Sequence, residues 1–483
     1  MAIRTGGDYL GGLAAHPREV WAQGRKISNV ADDPAFRRPA RAVADLYDLQ
    51  CAPANRSFMT YRCAETGEDT GTSFLRPRTP EDLDLRRRCM TLWAEASYGM
   101  LGRSPDFLNT TLMTFADCAA FFARGRPAFG DNMRAYYEHC KKHDLFLTHA
   151  LVPPQTDRSK SSSEQEEPFM HLGVVRETAA GLVVRGAKML ATLGPIADEL
   201  IVYPSPGLKP GDERHALAFA VPCDLPGLKF ICREPFDSGD TNTWDHPLSS
   251  RFEEPDAVVV FDDALIPWDR VFMHGDVQQA NGLAAGTNQR HFTGHQTAVR
   301  GLAKARFVTG VAVALTRSVK TDTFLHVQEQ LGELLAYLPL IEGAILLSET
   351  NAAITASGTL RPDYVPLQAL RYHLPKMYER MITVTQVLGA GGLLLNPTAA
   401  DLDSAVGPDI ARYYRGAGID ARRRIHLSKL AWDITGTQFA QRMLQYERYY
   451  AGDPVRVGAG YYTGYDTAAL LDYVESALAE RPE

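Results

Sequence analysis

Apolar residues follow a helical period at both ends of the chain and a strand period in the middle. Up to about residue 147, Met90, Leu92, Trp93 and Ala96 recur at helical spacing behind Thr79-Pro80-Glu81-Asp82. That quartet supplies an N-cap, a proline at the first helical position and an acid at the third. A further helix is predicted from Met133 to Phe146. From about 148 to 275 the runs shorten and become β-branched. Gly181-Leu182-Val183-Val184, Leu217-Ala218-Phe219-Ala220-Val221 and Ala257-Val258-Val259-Val260-Phe261 are punctuated by Gly, Pro and Asp, which predicts an antiparallel sheet or barrel. Beyond 285 long helices return. Val327, Leu331, Leu334, Leu335, Leu338, Ile341, Ile345 and Leu346 form one apolar face wide enough for a bundle interior, and helical stretches follow over 362–387 and 408–449.

This order predicts an α+β protein: an N-terminal α-helical domain (1–147), a middle antiparallel β-domain (148–283) and a C-terminal helix bundle with a tail (284–483). It disfavours a dinucleotide fold of alternating strands and helices. Gly389-Ala390-Gly391-Gly392 ends a helix rather than starting one, which makes it a cap and turn, and no P-loop occurs.

Composition removes several classes. A net charge of −7 argues against a nucleic-acid partner. No run of about 18 apolar residues suggests a membrane span. The start, Met1-Ala2-Ile3-Arg4, lacks a hydrophobic signal region, which points to the cytoplasm. Seven scattered cysteines form no C-x-x-C pair and imply reduced thiols. His291 and His295 have no neighbouring carboxylate or thiol in sequence, so hydrogen-bonded roles are expected for them and no metal.

The most informative segment is Thr148-His149-Ala150-Leu151-Val152-Pro153-Pro154-Gln155-Thr156-Asp157-Arg158. Two prolines fix φ and remove donors, and a row of polar side chains follows. By residue type alone this is a surface turn after a helix, or a loop that grips a flat polar ligand.

Its company favours the ligand loop. Tyr98-Gly99-Met100-Leu101-Gly102-Arg103-Ser104-Pro105-Asp106 precedes it, and Gly186-Ala187-Lys188-Met189-Leu190-Ala191-Thr192 follows. Pro247-Leu248-Ser249-Ser250-Arg251-Phe252, Ile266-Pro267-Trp268 and Tyr446-Glu447-Arg448-Tyr449-Tyr450-Ala451-Gly452-Asp453 complete the series. In this order the blocks resemble the 4-hydroxyphenylacetate 3-monooxygenase family, the oxygenase half of two-component FADH2-dependent phenol hydroxylases. The resemblance covers nearly the whole chain.

The resemblance implies an acyl-CoA dehydrogenase-like fold assembled as a homotetramer. It implies FAD, delivered as FADH2 by a separate flavin reductase, with O2 as cosubstrate. A C4a-hydroperoxyflavin then hydroxylates a phenol ortho to its hydroxyl. The cofactor carries the redox chemistry, and the protein orients and polarises. By carry-over, Arg103 and His149 meet the phenol oxygen, with His149 accepting or sharing its proton and Arg103 stabilising the phenolate. Ser104, Phe107, Pro204 and Ser205 complete the substrate site. Thr192 reaches the flavin ring. His149, Ala150, Leu151, Gln155, Thr156, Asp157 and Arg158 hold the flavin, together with Ala451, Gly452, Asp453 and Pro454. The family often has Tyr where this chain has Phe107, so one hydrogen bond to the substrate oxygen is missing. Lys209 and Arg214 follow in the loop expected near the substrate tail, and the phenol is either free or tethered to a carrier protein.

Two other readings stand beside this one. An acyl-CoA dehydrogenase-like oxidoreductase needs a bundle carboxylate as base, for which Glu333 and Glu342 are available. A catalytically inactive flavin-binding scaffold keeps the fold alone. A cluster-dependent dehydratase on the same scaffold lacks its cysteines here: no C-x-x-x-C occurs.

Overall fold

Thr79 caps helix α1 (Pro80–Ala96) through a reciprocal bond with Asp82, as its sequence predicts. Helix α2 (Pro105–Asp117) follows, then α3 (Pro127–His143), which begins at a proline six residues before the predicted start and ends on left-handed Asp144. The computed structural model describes residues 3–237 and 239–479.

Two strands of the helical N-terminal segment leave it to join the sheet. They are β1 (Glu19–Ala22) and β2 (Arg25–Ile27). The remaining strands of the two main sheets are β3 (Leu147–Ala150), β4 (Gly173–Glu177), β5 (Gly181–Thr192), β6 (Glu199–Val202), β7 (Leu217–Pro222), β8 (Leu228–Cys232), β9 (Asp256–Pro267) and β10 (Val271–His274). One sheet runs β2-β1-β8-β9-β5-β4 and the other β10-β7-β6-β3. Pairing is antiparallel except at two places, β1 with β8 and β3 with β6. Phe219, Phe230, Val259 and Phe261 fill the space inside the sheets, with Phe219 and Phe261 edge to face at 5.6 Å.

The C-terminal half is a bundle of α4 (Gln289–Ser318), α5 (Leu325–Thr350), α6 (Tyr364–Gly389), α7 (Ala421–Thr435) and α8 (Gln438–Tyr450), with α9 (Pro454–Gly464) beyond. The stretch expected as one helix over 408–449 is three, broken around Gly416–Gly418 and at Gly436. Gly389 closes α6, and Ala390 turns out of it at φ 45°. By length and composition alone α5 is apolar enough to cross a membrane, with a mean hydropathy of 1.5 in its best window, but Glu329, Glu333, Glu342 and Glu349 interrupt its apolar residues, so it contains no unbroken run of about 18. Its Val327, Leu331, Leu334, Ile341 and Ile345 lie in the bundle core, while Leu335 and Leu346 remain about half exposed (49% and 48%). Five of the eight residues of the predicted apolar face are therefore buried by this chain, Leu338 is half-buried, and Leu335 and Leu346 are left uncovered.

Candidate active site

The site starts where β3 and β6 end. Their parallel register sets His149 beside Ile201 and Ala150 beside Val202, so the segments leaving both strands emerge together at their C-terminal ends. From β3 comes Val152-Pro153-Pro154 and the polar row, and from β6 come Tyr203, Pro204 and Ser205. These two exits line one cleft of about 250 Å³. Gln155, Thr156, Asp157 and Arg158 all face it, as do Pro204, Ser205 and, from α9, Arg456.

The lining carries more positive than negative charge: Arg158, Lys160, Lys188 and Arg456 against Asp157 and Asp212. Lys188 is the telling one. It is buried, among the described residues its Nζ donates only to the Leu151 carbonyl (2.8 Å), and burial lowers its pKa to about 8. A buried cation with a carbonyl as its sole protein partner suits an anionic ligand. The donor set therefore fits a flavin dinucleotide with its diphosphate. Thr156 is held by Gln165 (2.6 Å), which also ties down the Asp157, Lys160 and Ser161 backbone, so the loop is braced from behind.

Ala150 is buried in its strand, and Leu151 contributes the carbonyl bound by Lys188. At the second segment expected from the sequence to hold flavin, Ala451 gives its carbonyl to Arg371, Gly452 turns at φ 115°, and Asp453 caps α9 ahead of Pro454. Those four residues set the direction of α9, and Arg456 is the residue that reaches the cleft.

Arg103 sits after a turn that requires glycine twice. A Cβ on Gly99 (φ 71°) would lie 2.6 Å from the Lys304 side chain, and one on Gly102 would lie 2.4 Å from the Tyr446 ring. The guanidinium of Arg103 stacks between Phe107 and Tyr450, its Cζ 4.3 Å from each ring centre. It is 8% exposed, and its Nε and Nη1 have no protein partner. Such orphaned donors are costly unless a ligand meets them. Phe107 also meets His149 edge to face (5.8 Å), so one ring contacts both predicted substrate residues. Ser104 opens α2, buried, without capping it. In Gly102→Ala the new methyl displaces Tyr446. We expect hydroxylation to fall at least tenfold with flavin affinity nearly unchanged, read by product yield and flavin titration.

His149 is neutral. Burial and the nearby Arg103 charge hold its pKa well below the ordinary value. Its Nδ1 lies 2.8 Å from the Tyr203 hydroxyl, which also contacts Gln289 Nε2 at 3.1 Å.

Thr192 ends β5, and its hydroxyl donates to Asp256 (2.8 Å). Asp256 is bridged by Arg442 (3.0 and 2.7 Å) and touched by Arg233 (3.1 Å). Burial raises the Asp256 carboxyl, but Arg442 and Arg233 outweigh it and hold it at about 2. Arg442 also binds Glu254 (2.6 Å), whose other oxygen accepts the backbone N–H groups of Gly102 and Arg103 (2.7 and 2.9 Å). A continuous chain of charged hydrogen bonds thus ties the Arg103 turn to Thr192. Sequence reading missed Glu254, Asp256 and Arg442. Only the spacing Arg442, Tyr446, Tyr450, one helix face at i, i+4, i+8, hints at them.

Other candidates fall outside the site. Arg214 lies over Phe169 (5.4 Å), and Arg448 makes an exposed pair with Glu379 (3.2 Å). His295 bonds Glu349 (2.7 Å) and His291 the Pro362 carbonyl (2.9 Å).

Comparison with known proteins agrees with this geometry. The model for the 4-hydroxyphenylacetate 3-hydroxylase N terminal region matches residues 5–273, and that for the C terminal region matches 280–479. The chain is 40% identical to the 4-hydroxyphenylacetate 3-monooxygenase oxygenase component of Thermus thermophilus, over 99% of this chain and 98% of the relative. It is 35% identical to the 4-nitrophenol 2-monooxygenase oxygenase component of a Rhodococcus species, over 99% and 92%. A crystal structure of a 4-hydroxyphenylacetate 3-monooxygenase oxygenase component, complexed with FAD and 4-hydroxyphenylacetate, matches with a TM-score of 0.94 at 40% identity over 98% of each chain. Matched in order through both halves, the chain belongs to the 4-hydroxyphenylacetate 3-hydroxylase family.

Proposed function

We propose that this chain is the oxygenase component of a two-component flavin-dependent monooxygenase. It adds one oxygen atom ortho to the hydroxyl of a phenol, using FADH2 from a separate reductase. The observation that carries this reading is Arg103: a stacked, buried guanidinium with two donors unpartnered among the described residues, close to neutral His149, whose strand runs on into the loop lining the basic cleft. Bound reduced FAD would supply the two electrons that activate O2, one atom of which goes to the ring and the other to water. Arg103 and His149 hold the phenol oxygen, and the cation favours the phenolate, which enriches the ortho carbon in electrons. Phe107 and Tyr450 flank that position with apolar ring faces that exclude water. The para substituent runs toward Pro204 and Ser205. Lys188, Arg456 and the loop 155–158 hold the flavin.

A panel of 4-hydroxyphenylacetate, tyrosine, 4-nitrophenol, a chlorophenol and a carrier-bound tyrosine, given FADH2 and O2, tests this by product formed against hydrogen peroxide released. No phenol hydroxylated above background would refute it. The dehydrogenase reading has weaker support, since Glu333 is bound by Arg380 (2.7 Å) and Glu342 by Arg306 (3.2 Å), both at partly exposed surface sites.

Thr192 gives its hydroxyl hydrogen to Asp256, so its oxygen offers only lone pairs to the flavin ring. In Thr192→Val that acceptor is lost. The peroxide released per reductant consumed rises by about two- to tenfold, the worth of one neutral hydrogen bond. Peroxide yield against product measures it, and an unchanged ratio removes Thr192 from the flavin site.

The assembly we propose is a homotetramer in the cytoplasm. Supporting it are seven free cysteines, the half-exposed face of α5, and the helix Ala468–Leu478, which buries no residue while Leu470, Leu471 and Val474 point outward. Sedimentation equilibrium tests it by the mass of four copies.

A further inference from the structure

Tyr203 has a single hydroxyl hydrogen, and where that hydrogen goes decides what His149 can do. Gln289, at the start of α4, places its amide nitrogen 3.1 Å from the Tyr203 oxygen and donates to it. Among the described residues the hydroxyl's other partner is His149 Nδ1, at 2.8 Å. With the oxygen accepting from Gln289, the hydrogen points to Nδ1, which must then be the unprotonated nitrogen. His149 keeps its own hydrogen on Nε2. The opposite tautomer would aim two donors at the same oxygen and leave the hydroxyl hydrogen of a residue only 4% exposed without an acceptor.

We propose that Tyr203, oriented by Gln289, is a positioning residue that locks His149 as the neutral Nε2–H tautomer, so that His149 donates a hydrogen bond to the substrate's phenolic oxygen and does not accept its proton. This rests on the phenol hydroxylase reading and, of the two expected roles of His149, accepting the phenol proton or sharing it, leaves out the first. The phenolic O–H bond breaks with both electrons left on oxygen, and the proton passes to water as the substrate binds. Arg103 supplies the compensating charge and is the charged group whose field reaches His149. The aromatic rings packed against the imidazole, Phe107 and Tyr203, carry no charge.

The arrangement also explains how the site works without the tyrosine that relatives often carry at the position of Phe107. Here a phenol stands behind the imidazole instead of beside the substrate. It reaches the substrate oxygen only through the histidine, and Phe107 is left free to stack on Arg103.

The test uses the full-length protein with oxidised FAD, so that no turnover occurs, and two readouts. In ¹⁵N-labelled protein the His149 ring, assigned by loss of its signals in His149→Gln, shows one neutral Nε2–H form that does not titrate between pH 6 and 9. A pH titration of bound 4-nitrophenol, followed by its visible phenolate band, shows ionisation at lower pH than in water. In Tyr203→Phe the ring becomes a mixture of tautomers. The ionisation constant of the bound nitrophenol then falls by about tenfold, as expected when a hydrogen bond to a charged acceptor is lost. Gln289→Leu, which leaves the tyrosine in place, shifts both readouts in the same direction by less. An Nδ1–H tautomer in the unmodified protein overturns the proposal. So does a Tyr203→Phe protein whose tautomer and bound nitrophenol ionisation match the parent. Failure of every phenol in the panel to bind or react instead overturns the hydroxylase reading beneath it.

Discussion

Arg103→Gln cuts phenol hydroxylation by about 10²- to 10³-fold, the cost of removing one preorganised donor from a developing anion. The guanidinium stacks between Phe107 and Tyr450, and its Nε and Nη1 have no hydrogen-bond partner among the described residues. Glutamine keeps the aliphatic stem and a polar tip but loses the charge and the fork. The backbone of the turn is unaffected, because Glu254 binds the N–H of residue 103, which every substitution except proline retains. Flavin affinity is therefore expected to stay within about threefold, since the loop 155–158 and Lys188 are untouched. Reductant is still consumed, but it ends as hydrogen peroxide. Arg103→Lys falls between, with charge retained and planar stacking lost. The measurement is product per O2 consumed across a phenol concentration series. Normal coupling in the glutamine variant would remove Arg103 from the reaction.

The largest loss of stability is expected at Glu447. Its carboxylate meets Arg300 at 2.7 and 3.0 Å and Lys304 at 2.6 Å, all deep in the bundle. Arg300 in turn donates to the Gly99 carbonyl, bracing the turn that carries Arg103. Glu447→Leu strands two buried cations, and breaking such a cluster costs about 3–5 kcal/mol. Lys304 gives part of this back. Burial already lowers its pKa to about 8 with Glu447 present, and without that partner it sheds its proton at neutral pH. Arg300 has no such escape. Burial raises the Glu447 carboxyl, and Arg300 with Lys304 outweigh it, so its folded pKa lies below the ordinary carboxylate value. The stabilisation is therefore complete above the unfolded pKa and disappears as pH falls through the depressed folded value. Urea unfolding between pH 3 and 7 reads both effects. The parent loses part of this term as pH falls from the ordinary carboxylate range toward 3, and Glu447→Leu, which lacks the carboxyl, shows a lower midpoint without that loss. Equal midpoints for the two proteins at pH 7 would show that the cluster contributes no net stability.

The parts of this molecule that were legible in its sequence are the local ones. Thr79 and Pro80 start α1 as their capping chemistry requires, and the β-branched runs at 181–184 and 257–261 lie within β5 and β9, which pair with each other. Arg103, His149 and the row 155–158 were found because each sits in a contiguous block. The illegible parts join residues far apart. Arg442 is 188 positions from Glu254 and 186 from Asp256, and Gln289 is 86 from Tyr203. No periodicity encodes a partner at that separation. The short strands β1 and β2 were hidden for a related reason. With four and three residues they carry almost no alternation, and the parallel edge of β8 is what ties β1, with β2 paired to its other side, into the main sheet. Thr192 looked like a flavin contact alone, yet its hydrogen is already committed to a carboxylate contributed by the neighbouring strand.

Because β3 and β6 run side by side in the same direction, two loops leave one edge of the sheet as neighbours while remaining separate pieces of chain. One continues into the cofactor grip and the other into Pro204–Gly211. Insertions in the second that spare its anchor to the first, where Ser163 bonds the Gly211 carbonyl (2.6 Å) and Asp212 (2.8 Å), leave the first where the strand register put it. Selection can therefore change which phenols the enzyme consumes while the chemistry stays fixed, much as interchangeable jaws fit one vice. A library randomised over residues 206–211 should accordingly yield proteins that differ in substrate choice at a constant ratio of product to peroxide.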